Sequence, residues 1–183
     1  LRAFDTEHKH RLSYAEIAAE KKTAPESRLG FRLDLGAGAT ADVVGAAEPS
    51  PARDSLKYFQ QAYVGWLAPL GKGLSIEGGK FVTPHGAEVI ESRDNWNYTR
   101  GWLGELSPYY QTGVKATIPM SERWSAQVHL LNGWQRIADN NRGKSLGWQF
   151  AYASDTLSLA FNGIAGPELP DDDHDVRVLL DTV

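Results

Sequence analysis

The chain has 183 residues, 42% of them hydrophobic and 23% charged, and a net charge of -4, enough for one ordinary domain with a sizeable core. Lys and Arg are scattered among the acids, so no basic stripe offers itself to phosphates and nucleic acid is not an expected partner. No cysteine occurs, which excludes a disulfide scaffold and a thiolate metal site and is compatible with an oxidising compartment.

The opening LRAFDTEHKH lacks the basic, apolar, small-residue order of a signal peptide, so any export signal is expected upstream. From about Arg11 to Lys21 a period of two sets in, the mark of a strand with one apolar face. It is clearest where Leu29, Phe31, Leu33 and Leu35 alternate with Gly30, Arg32, Asp34 and Gly36. Weaker alternation runs from Tyr58 to Ala68 and from Leu74 to Val82. The uncharged stretch Tyr58 to Gly71 is too short, and too rich in glutamine, for a membrane-spanning helix.

Strands are expected again from Tyr110 to Ile118 and from Trp124 to Trp134, where Ala126, Val128 and Leu130 alternate with Ser125, Gln127 and His129. Leu146, Trp148, Phe150 and Tyr152 alternate with small or polar residues, as do Leu157, Leu159 and Phe161, and a last strand runs from Val176 to Val183. The sum is an all-β chain of about nine strands with little helix.

The connections fall into two length classes that alternate along the chain. Short ones are Thr23 to Ser27, Pro69 to Gly73, Pro119 to Glu122 and Ser154 with Asp155; long ones are Ala37 to Leu56, Thr83 to Pro108, Gln135 to Gly143 and Gly166 to Asp175. An antiparallel up-and-down sheet sends every second connection to the same end, so the short turns share one end and the long loops the other. Transmembrane β-barrels have that asymmetry.

Trp124 and Trp134 stand ten residues apart, about 33 Å along a strand and about 25 Å of rise at a tilt of about 40°, close to the apolar band of such barrels. An aromatic girdle of Trp66 and Trp124 beside short turns, and of Tyr109, Tyr110 and Trp134 beside long loops, is therefore expected. A soluble β-sandwich alternates in the same way with the opposite burial, and that reading stays open on alternation alone.

Particular stretches narrow the choice. FDTEHKHRLSYAEIAAEKK, PYYQTGVKATIP, LNGWQRIADNNRGKSLG and above all GKFVTPHGAEVIESRDNWNYTR resemble the β-barrel porin family described as OmpL-like. That resemblance covers most of the chain. It implies a Gram-negative outer-membrane barrel around a water-filled channel, of which residues 1–183 are the central part, with strands missing at both ends.

By parity Arg32, Asp34, Glu77, Lys115, Gln127, His129, Gln149 and Asn162 point inward, as pore-lining groups or, in the plainer reading, as a solvated sheet face. Glu88, Glu91, Arg93, Asp94, Arg100 and Glu105 crowd the long loop Thr83 to Pro108, which folds inward as a constriction or caps the rim; its AEVIES is expected to form a helical turn. His8 to His10 and Asp171 to Asp175 are read as solvated loop residues rather than metal ligands.

No catalytic motif stands out: there is no G-x-S-x-G elbow, phosphate loop or H-E-x-x-H. The chain is thus expected to work as a porin without catalytic residues, metal or cofactor, its partners being outer-membrane lipid and small hydrophilic solutes. Self-assembly stays open, because trimeric and monomeric barrels share this patterning.

Overall fold

A computed structural model describes residues 12–48, 52–139, 141–170 and 173–183. His8 to His10 and the first two acids of the run at Asp171 lie outside them. Nine strands form one sheet: β1 (Ala15–Lys21), β2 (Leu29–Ala37), β3 (Phe59–Ala68), β4 (Leu74–Val82), β5 (Tyr110–Pro119), β6 (Trp124–Leu131), β7 (Ser145–Ala153), β8 (Ser158–Pro167) and β9 (Val176–Thr182). Each pairs antiparallel with its neighbour in chain order, and β1 does not pair with β9, so the sheet is not closed. Short turns join β1 to β2, β3 to β4, β5 to β6 and β7 to β8, and the longer connections all lie at the other end.

The alternation in the sequence becomes two faces. One carries Phe31, Val64, Val114, Val128, Phe150, Phe161 and Leu180, all exposed, and the register aligns them in rows: Phe31 beside Val64, Ala116 beside Val128, Val128 beside Trp148, Phe150 beside Phe161. The other face is polar. β-branched and aromatic side chains suit this pleated surface, since each finds a cross-strand neighbour.

Two interruptions of the register matter. Gln60 is an extra residue in β3, because Asp34 pairs with Gln61 but Leu35 with Phe59. Gly79 and Gly113 face each other across β4 and β5 with φ of 138° and 156°. A Cβ would stand 2.2 Å from the Ala62 carbonyl oxygen at the first and 2.0 Å from that of Leu130 at the second, so only glycine fits either place.

On the polar face Phe81, Leu131 and Ile164 form a buried cluster against which Tyr63, Trp134 and Leu179 pack. Those residues come from β3, β4, β6, β8 and β9 and the loop after β6, so the sheet curls until widely separated strands reach one point. Three short helices, α1 (Ala39–Val44), α2 (Ala52–Leu56) and α3 (Trp102–Leu106), sit in the two longest connections. AEVIES is not helical: that loop's helical turns are a 3-10 turn at Ser92–Asp94 and α3, because Asn95 takes both backbone groups of Val89 and leaves that stretch irregular.

Candidate functional site

All eight residues nominated by parity lie on the polar face, and most are paired there. Arg32 donates to Asp34 at 2.8 Å, and Gln61 reaches the same carboxylate at 2.6 Å. Lys115 pairs with Glu77 at 2.6 Å while its ammonium stands 4.7 Å from the centre of the Phe81 ring. His129, fully buried, contacts the side-chain oxygens of Gln111 and Gln127 at 3.1 and 3.0 Å. Gln149 donates to Asn162 at 2.8 Å, and Asn162 to Asp181 at 3.1 Å. Each of these pairings offsets part of the desolvation penalty of a buried polar group.

The long loop from Thr83 to Pro108 crosses this face. At its start the His85 ring nitrogen Nδ1 donates to Asp181 at 2.6 Å and the Gly86 amide donates to the other carboxylate oxygen at 3.1 Å. Asp181 lies in β9, paired with Asn162 near the middle of β8, so the loop descends into the curl rather than standing above the rim. Further along, Ile90 packs with Val44, Tyr110 and Tyr14. Glu91, Arg93 and Arg100 line a cavity shared with Tyr14 and Glu16 at the start of β1. The loop therefore reaches from β9 to β1.

Its own braces are internal. Arg100, almost wholly buried, donates to the carbonyls of Val89, Ile90 and Tyr98 and to the Ser92 hydroxyl; burial lowers its pKa from the usual arginine value, and the nearby Glu88 and Glu91 oppose that shift. Glu88 accepts the Gly101 amide at 2.7 Å. Glu105 sits on α3, close enough to Tyr109 to add to the rise that burial imposes on that phenol. Arg93 and Asp94 are exposed and pair with each other at 3.3 Å. Glu91 is half-buried, and its carboxyl is raised by burial first, then by Glu16, Asp94 and Asp34, against a lowering backbone hydrogen bond.

The rings nominated for an aromatic girdle take different places. Trp66 and Trp124 are exposed on the apolar face beside short turns, Trp124 stacking on Phe150 at 4.8 Å. Trp134 does not face outward: β6 ends at Leu131, the chain turns at Gly133 with φ of 154°, and the indole packs on the inner cluster with the Arg177 guanidinium 3.6 Å above it. Tyr110 is fully buried, donating its hydroxyl to Glu48 at 2.5 Å, and Tyr109 packs against the separate cluster of Val44, Ile90 and Tyr110. At the long-loop end, folded connections draw in the rings expected beside the long loops.

Sequence reasoning passed over His85, Asp181 and Arg177. Asp181 had a signal, a lone acid in the apolar run LLDTV; His85, in an irregular stretch, had none.

A family model described as Putative beta-barrel porin-2, OmpL-like, matches residues 2–183. Searches of curated proteins and of solved structures give no match.

Proposed function

The chain belongs to the OmpL-like family of β-barrel porins, and from that premise we propose that it forms part of the wall of a water-filled channel in the bacterial outer membrane, through which small hydrophilic solutes diffuse passively. The observation that carries this reading is the direction of the apolar face. Val128, Phe150 and Leu159 are all exposed, Val128 by 53%, whereas a sandwich needs them in a dry core. Each such side chain left in water forgoes about 1.5–3 kcal/mol, and the face holds many, so lipid is the solvent that suits it.

The opposite face supplies what a channel needs. Arg32 with Asp34 and Lys115 with Glu77 are paired on it, so a solute meets a hydrated wall of both signs, selected by width and by charge rather than by covalent chemistry. The loop from Thr83 to Pro108 narrows the path, with Glu88, Glu91, Arg93, Asp94, Arg100 and Glu105 at or near the constriction. The role is transport without catalysis.

Planar-bilayer conductance of the full-length parent, purified in detergent, tests the proposal, with Lys115→Glu and Arg93→Glu variants in parallel. Stepwise conductance with ion selectivity shifted toward cations in at least one variant is the expected result. Protein that is soluble without detergent and conducts nothing would overturn it.

A further inference from the structure

A cavity of about 410 Å³ lies between the inner side of β1 and the inward loop, within the size range of small-ligand sites. Tyr14, Ile90 and Tyr98 give it apolar walls, and Glu16 and Glu91 give it carboxylates. Two arginines also border it, but both are committed. Arg100 turns its guanidinium to backbone carbonyls and Ser92, and Arg93 points to solvent, 82% exposed and paired with Asp94.

Among the described residues neither Glu16 nor Glu91 has an ion-pair partner. Among those residues Glu16 accepts the Tyr14 hydroxyl, and both glutamates line the cavity. The pocket thus sets two carboxylates outside any ion pair beside two phenol rings, the pairing that attracts an organic cation through Coulombic and cation–π interaction together.

We propose that this cavity is a subsite for small organic cations, an ammonium group held by Glu16 and Glu91 with an attached apolar or aromatic portion against Tyr14, Ile90 and Tyr98. It rests on the pore reading, in that a solute reaches the pocket from the channel. An inorganic cation would use the carboxylates but leave the apolar walls idle, and a neutral solute would leave the two charges unanswered. The proposal therefore names the substrate class that the constriction favours.

The test is calorimetric titration of the detergent-purified full-length parent with phenethylammonium chloride, and with 2-phenylethanol as the uncharged molecule of like shape. The ammonium is expected to bind and the alcohol not, with affinity reduced about tenfold in Glu91→Gln and in Glu16→Gln, as for the loss of one charge-assisted contact. Tyr98→Ala, on the exposed side of the pocket, is expected to weaken phenethylammonium more than methylammonium. Each variant is checked for assembly by its heat-dependent migration on a denaturing gel. No binding, equal binding of the alcohol, or binding untouched by both Gln variants would overturn the subsite. Conductance of the same preparations separates the two readings: a conducting channel with no ammonium affinity keeps the pore and removes the subsite, and a silent protein that binds the ammonium does the reverse.

Discussion

At the cavity the surroundings alter the charge state of Glu91. Burial raises its carboxyl, Glu16, Asp94 and Asp34 raise it further, and its own backbone hydrogen bond opposes them; Arg100, Arg93 and the two tyrosines are the other titratable groups lining the cavity. Cation binding needs the ionised form, so it is complete above the raised pKa and lost as pH falls through it. Titrations of phenethylammonium from neutral pH downward are expected to lose affinity before the usual glutamate value of 4.5 is reached, and Glu91→Gln to flatten that dependence. At this scale the sequence told much about the strands and little about their ends. Parity alone placed Arg32, Lys115 and Asn162 on the polar face, because the period of two is a property of each strand by itself. Trp134 and Tyr110 escaped it, because their surroundings are made by Arg177 and Glu48, which are distant in sequence.

For the strands, the strongest expectation concerns β6. Val128 sits midway along it between Ala116 and Trp148, on the exposed apolar face. Val128→Arg puts a guanidinium where lipid is proposed, at a cost of about 2–4 kcal/mol near a bilayer midplane. The variant is expected not to reach the heat-resistant assembled form; normal migration before and after heating would count against a lipid-facing β6. Nine strands, their neighbours and the two ends of the sheet were legible, since turn composition and alternation are local signals. The path of the loop from Thr83 to Pro108 was not. It depends on His85 meeting Asp181, 96 residues away, and no stretch of sequence between them announces the contact.

Across the whole molecule that contact joins the long loop to β9. Asp181 accepts from His85, Gly86 and Asn162 at once, and hydrogen bonds to a charged group contribute about 1.5–3 kcal/mol each. Asp181→Ala is expected to free the start of the loop, raising single-channel conductance and opening residues 83–108 to limited proteolysis. Unchanged conductance and unchanged cleavage would mean that the loop is held elsewhere. The two faces of the sheet also answer differently to mutational drift. Lipid is a fluid with no fixed shape, so Val128 or Leu130 can exchange with any apolar residue and lose little, each site on its own account. Glu77 and Lys115, or Arg32 and Asp34, can change only together. A wall built this way tolerates rapid, independent divergence on its outside and slow, pairwise divergence within.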